Sequence, residues 1–169
     1  LKYLRSSIES SIKRIGIDYL DIFYTHRYDP NCDLEVVADS LYYLHNKGLY
    51  LYAGISSYPQ KELFKLIEFL NDRKVPIACL QYNISLLSLS NFYLCKECYE
   101  RWGISTLAFS PFNQGILTNS YFNNVKEESS RLYEEKTTVH VRDEEIMRGL
   151  KEIKKFSDNM NLSIEDLSL

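Results

Sequence analysis

Four short stretches end in side chains that could do chemistry. "YLDIFYTH" delivers His26 and then Arg27, "LYLYAGIS" ends at Ser56 with Ser57 next, "IACLQYNIS" carries Gln81, Tyr82 and Asn83, and "ISTLAFSP" ends in Phe109, Ser110 and Pro111. An imidazole N–H can stabilise a carbonyl oxygen as that oxygen gains negative charge. The Gln81 amide offers one acceptor and two donors, the complement of a primary carboxamide, and two serine hydroxyls can complete such recognition. The face of Phe109 suits a flat heteroaromatic ring. Each type also has a structural use. A strand-end histidine can be a satisfied structural group, a glutamine can pair with backbone, and a phenylalanine can be core.

The elements that carry these residues alternate. The four stretches (19–26, 49–56, 77–85 and 104–111) are apolar, β-branched or aromatic, as strands are. Between and around them lie helical periods. Residues 34–47 carry Leu34, Val37, Ala38, Leu41 and Leu44, and residues 59–73 carry Leu63, Leu66, Ile67 and Leu70. Residues 91–102 and 143–160 follow the same spacing, and Leu4, Ile8, Ile12 and Ile15 make a first helix ahead of Gly16. Strand then helix, repeating at roughly 30 residues, predicts βα units on a parallel sheet. Gly16, Gly48 and Gly103 each precede a strand, as helix terminators do. No two glycines have G-x-G-x-x-G spacing and no Walker-type loop exists, so the phosphate cradles of a doubly wound dinucleotide fold or a P-loop fold are missing. All four strands end in polar groups at one sheet edge, the edge at which (β/α)8 barrels place their sites.

With 169 residues, 45% of them hydrophobic, the chain can build a core, and its net charge of −3 argues against non-specific nucleic-acid binding. No apolar run reaches the roughly 18–20 residues of a membrane helix, and with no leader-like stretch before the first helix the expectation is a protein that is not secreted. Of four cysteines only Cys95 and Cys98 are close, in "CKEC" on a helical stretch. One such pair without a second makes no zinc ribbon, and reduced thiols in a cytoplasmic protein are expected. Residues 118–142, "TNSYFNNVKEESSRLYEEKTTVHVR", are polar and weakly periodic and are expected to form a long loop, either a lid or a solvated surface. The chain starts at Leu1 inside a helical pattern. Near the other end, Ser163 and Asp166 look like a helix cap with only three residues after it. The expectation is a segment of something longer.

The stretches "SIKRIGIDYLDIFYTHRYDP", "GISSYP", "QYNI" and "AFSPFNQGILTNSYF", in that order, resemble the aldo-keto reductase family. The likeness is to the branch that includes potassium-channel beta subunits and bacterial glyceraldehyde-phosphate reductases, and it spans nearly the whole chain. It implies an α/β fold, a (β/α)8 TIM barrel, of which residues 1–169 form one partial domain covering about half, strands four to seven with flanking helices. It implies NADPH-dependent reduction of a small-molecule aldehyde or ketone. It maps His26 onto the catalytic histidine and Ser56, Ser57 and Gln81 onto the ligands of the nicotinamide carboxamide. Phe109 falls at the ring that stacks on nicotinamide, and Ser110, Pro111, Phe112, Gly115 and Leu117 on the turn around the pyrophosphate. The loop 118–142 becomes a lid. Ser57 departs from the Asn or Arg of many members, and Phe109 from their Tyr or Trp.

The same resemblance implies what the segment lacks. The family's Asp, Tyr and Lys would lie before Leu1, and its eighth strand and adenosine-phosphate clamp after Leu169. The chain has 14 tyrosines, none in the matching context. Tyr24 and Tyr28 flank His26, but strand alternation makes neither an evident substitute. Arg27 is expected to brace the loop at Asp29-Pro30. The resemblance leaves a second reading, a catalytically incomplete cofactor-binding or regulatory partner like the channel beta subunits. It leaves the oligomeric state open between a monomer and a homo-oligomer, since ring-like tetramers occur in this branch.

Overall fold

Helices α1 (Lys2–Ile15), α2 (Leu34–Asn46), α3 (Gln60–Asp72) and α4 (Leu89–Trp102) alternate with strands β1 (Leu20–Thr25), β2 (Tyr50–Ser56), β3 (Ile77–Asn83) and β4 (Ser105–Phe109). A 3-10 turn (Asn113–Gly115) and helices α5 (Asn119–Phe122), α6 (Glu144–Met160) and α7 (Ile164–Ser168) complete the order. The computed structural model describes residues 1–123 and 144–169. The chain forms two compact units, residues 1–82 with 93–107 and residues 83–92 with 108–169, each with its own core.

In the first unit the expected alternation is present. Gly16, Gly48 and Gly103 all have φ near +70 to +80°, the left-handed conformation that ends a helix and turns the chain into the next strand. Asp33 caps α2 by accepting from the Glu35 amide. The four strands lie in the order β1-β2-β3-β4, and the β1/β2 and β2/β3 pairs are parallel. Ala53 pairs with Ile77 but Gly54 with Cys79, so β3 holds one extra residue, Ala78. Helix α4 begins two residues before the predicted 91.

Leu41 and Leu44 of α2, Leu63, Leu66, Ile67 and Leu70 of α3, and Tyr50, Ile55 and Leu80 of the strands are wholly buried. Helix periodicity thus brings these apolar stripes against the sheet. Tyr50 carries a polar group into it and satisfies that group by donating to the Leu41 carbonyl (2.9 Å). Burial pushes its phenol above the ordinary range. Arg73, at the end of α3, reaches Asp39 (2.7 Å) and Glu35 (3.3 Å) of α2 and donates to the Phe69 carbonyl (3.0 Å). It ties two neighbouring helices together at their solvent side.

The second unit is built on Ile116, Leu117, Leu150 and Ile164, with Leu86, Leu87, Tyr121, Met147 and Ile153 packed against them. Asn119 donates its backbone and side-chain N–H groups to the two carboxylate oxygens of Glu165 (2.7 and 2.9 Å). Ser163 and Asp166 form the capping box read from the sequence. Part of the loop 118–142 is not irregular. Thr118 caps the short helix α5 through the Tyr121 amide, a local device too brief for periodicity to reveal. The remainder of that loop, His140 included, lies outside the described residues. No helix among the described residues is long and apolar enough to cross a membrane.

Tyr52 and Leu107 are about half exposed on their strands (46% and 50%), and β1 is an outer strand with one edge unpaired among the described residues. Open edges and wet apolar strand faces drive association. The 169-residue chain produced alone is therefore expected to self-associate or to melt without a sharp transition. Light scattering on a size-exclusion column checks this, and a monomer with cooperative unfolding would contradict it.

Candidate active site

Strand pairing decides which side chains share a face. Tyr24 pairs with Gly54, and Gly54 with Cys79. One step further Thr25 pairs with Ile55, and Ile55 with Leu80, and the next row holds Ser56 paired with Gln81. His26 follows Thr25 directly, one residue past the end of β1. Because side chains alternate, Ser56 and Gln81 share a face with Tyr24, Gly54 and Cys79. Thr25, Ile55 and Leu80 occupy the opposite, buried face. Three residues expected at the site are thus brought to the carboxyl ends of adjacent strands.

The row beneath is tightly made. The Tyr24 ring lies across Gly54, and a Cβ at residue 54 would sit 2.5 Å from two of its ring atoms. Glycine is required here for space. The Tyr24 hydroxyl reaches past it to the Cys79 sulfur (2.8 Å). Tyr24 is thereby engaged with Cys79 rather than with His26. Burial, and then the bond to Cys79, pushes its phenol up to about 12. That is the wrong direction for a proton donor near neutral pH, so it remains a poor substitute for the family's tyrosine.

Ser56 is buried, and its hydroxyl lies 3.3 Å from that of Ser57. Ser57 has φ 56°, a left-handed conformation costly for a non-glycine residue, and its amide donates to the Gln81 carbonyl (3.2 Å). The Gln81 side chain is half-buried and has no hydrogen-bond partner among the described residues, which leaves its amide able to meet a ligand. His26 is exposed and likewise without one. Arg27 does not brace the following loop. Asp29 accepts from the Asn31 backbone (2.9 Å) and side chain (3.1 Å), a self-contained turn in which the Asn31 amide holds the carboxyl below its usual range. Beside this loop a cleft of about 580 Å³ is lined by Phe23, His26, Tyr28, Cys32, Val36 and Tyr58 among others. Sequence reading passed over Tyr82 as a partner of the site. Its hydroxyl contacts the backbone of Tyr58, a pairing 24 residues apart in the chain that no motif signals.

The other expected ligands belong to the second unit. Phe109 is 38% exposed, with Ser110 after it at φ 54°. Asn113, Gln114 and Gly115 also have positive φ, and the Gly115 and Leu117 amides both donate to the Phe112 carbonyl (2.9 and 3.1 Å). Ser110, Pro111 and Phe112 are half-buried along this compact turn. The Leu117 side chain is wholly buried in the unit's core, so it anchors the turn. "CKEC" is part of α4, where burial pushes both thiols up, that of Cys98 to about 12. They pack as apolar groups.

The aldo/keto reductase family matches residues 2–169. The chain belongs to that family. It is 37% identical over 142 residues to L-glyceraldehyde 3-phosphate reductase of Escherichia coli strain K12, covering 82% of this chain and 40% of that protein. It is 33% identical over 121 residues to the chloroplastic pyridoxal reductase of Arabidopsis thaliana, covering 69% of this chain and 33% of that protein. Among solved structures, the glycerol dehydrogenase of Gluconobacter oxydans superposes with a TM-score of 0.73 at 17% identity, over 98% of this chain and 49% of that one. A thermostable aldo-keto reductase gives 0.62 at 21% identity, over 95% and 48%. The four parallel strands and their helices are therefore about half of an aldo-keto reductase TIM barrel, and the chain spans about 40% of the length of the E. coli relative.

The raised phenol of Tyr24 gives a signed pH dependence. A tyrosine that ionises later in the folded than in the unfolded chain adds stability below pH 10 and loses it as pH rises toward 12. Urea midpoints measured at neutral pH and at high pH are expected to favour wild type over Tyr24→Phe at the lower value, with the gap closing or reversing at the higher. A gap that does not change with pH would contradict the raised phenol of Tyr24.

Proposed function

We propose that this chain is the nicotinamide-binding, carbonyl-orienting part of an NADPH-dependent aldo-keto reductase. The observation that carries the reading is the paired Ser56 and Gln81 at the ends of β2 and β3, with His26 next after β1, and with the Gln81 amide and the His26 ring without partners among the described residues. Those groups fit the cofactor's carboxamide and a substrate oxygen. Gln81 and the two serines would hold the carboxamide, and thereby orient the ring. When bound, the reduced nicotinamide supplies the hydride. His26 donates a hydrogen bond to the substrate oxygen and steadies the charge that forms there. The family resemblance further assigns Phe109 to ring stacking, and Ser110, Pro111, Phe112 and Gly115 to the pyrophosphate.

The proton must come from another group. Tyr24 is bonded to Cys79 and raised in pKa, and the proposed proton donor is a tyrosine outside residues 1–169. The substrate is proposed to be an aldehyde, in keeping with relatives named for L-glyceraldehyde 3-phosphate and pyridoxal. Location in the cytoplasm accords with four free cysteines, three of them buried.

The test uses the native polypeptide, identified by an immunoblot against this segment. His26→Ala is expected to leave NADPH binding unchanged, followed by quenching of its fluorescence, and to lower aldehyde turnover by about 100-fold or more. Gln81→Leu is expected to weaken NADPH binding by about tenfold, the worth of one lost net hydrogen bond. Unaltered turnover in the first variant would remove His26 from the chemistry, and unaltered binding in the second would remove the carboxamide assignment.

A further inference from the structure

Ser57 is held in a left-handed conformation at the point where β2 leaves the sheet, and something must fix it there. One support is its own amide, bonded to the Gln81 carbonyl. The other comes from the far side of the sheet. Tyr82 follows Gln81 on β3 and therefore points to the opposite face. Its hydroxyl donates to the Tyr58 carbonyl (2.6 Å) and accepts from the Tyr58 N–H (3.0 Å). A single hydroxyl thus satisfies both backbone groups of the residue after Ser57. Tyr58 and Tyr82 are 4% and 3% exposed, so water has little access to replace either bond.

We propose that Tyr82 is a positioning residue for carboxamide recognition: its hydroxyl clamps Tyr58 and so keeps Ser56 and the strained Ser57 in the row with Gln81. The inference rests on the nicotinamide reading above and extends it to a residue that touches neither cofactor nor substrate. Adjacent residues of one strand then divide the work. Gln81 faces the ligand, and Tyr82, facing away, holds the loop that carries the other two ligands. Removing the hydroxyl leaves two buried backbone groups unpaired, and the turn is expected to relax out of the left-handed region.

The test compares the native polypeptide with Tyr82→Phe and, as a control, Tyr50→Phe. Tyr50 is equally buried and bonds one backbone carbonyl remote from Ser57. Binding of NADPH is measured against its reduced 3-acetylpyridine analogue, in which a methyl replaces the carboxamide nitrogen. Wild type is expected to prefer the carboxamide by about tenfold. Tyr82→Phe is expected to lose most of that preference, and Tyr50→Phe to keep it while losing stability. Unchanged preference in Tyr82→Phe, or equal loss in both variants, would overturn the clamp alone. Wild type that binds neither dinucleotide would overturn it together with the cofactor reading. Hydrogen exchange needs no variant. The Tyr58 amide is expected to exchange as slowly as that of Ile55, and fast exchange would overturn the proposal even if Tyr82→Phe failed to fold.

Discussion

One extra residue in β3 governs the site. Without Ala78 as a bulge, Gly54 would pair with Ala78 and Ser56 with Leu80, and Gln81 would face the buried side. A shift of one residue turns every later side chain of a strand to the other face. The irregularity therefore puts Cys79 beneath the Tyr24 ring and Gln81 beside Ser56. It also sends Tyr82 to the far face, where its hydroxyl meets Tyr58. Space for the Tyr24 ring, supplied by Gly54, is part of the same solution.

The electrostatics of the first unit are consistent with holding and orienting. Tyr24, Tyr50, Tyr58 and Tyr82 all have phenols pushed up, chiefly by burial. Each hydroxyl of Tyr24, Tyr50 and Tyr82 is tied into a specific hydrogen bond. None of these groups is prepared to release a proton near neutral pH. A chemical step that needs a proton needs a group tuned the other way, by a nearby cation or an unburied setting.

Much of this was legible in the sequence because it depends on period. Leu41, Leu44, Leu63, Leu66, Ile67 and Leu70 announce their helices, and the terminal glycines announce where strands begin. His26, Ser56 and Gln81 stood out as polar groups closing apolar runs. What could not be read was pairing. Neither the extra residue at Ala78 nor the Tyr24–Cys79 and Tyr58–Tyr82 contacts has a local signal, since each joins residues distant in the chain through register. Arg27 misled for a related reason. Its charge suggested a brace, yet the Asx turn at Asp29 closes the loop through Asn31 with no outside help. Thr118 and α5 were hidden by the polar character of the stretch around them.

The four thiols differ sharply in their surroundings. Cys79, Cys95 and Cys98 are buried, whereas Cys32 is exposed on the turn beside His26, with Asp29 against it raising its pKa. The native sequence thus carries its own attachment point for a spectroscopic label. A fluorophore coupled through a maleimide would mark one position within residues 1–169 without any substitution. Because Asp29 disfavours the thiolate, coupling belongs at mildly alkaline pH, and its rate would itself report on the charge around that turn.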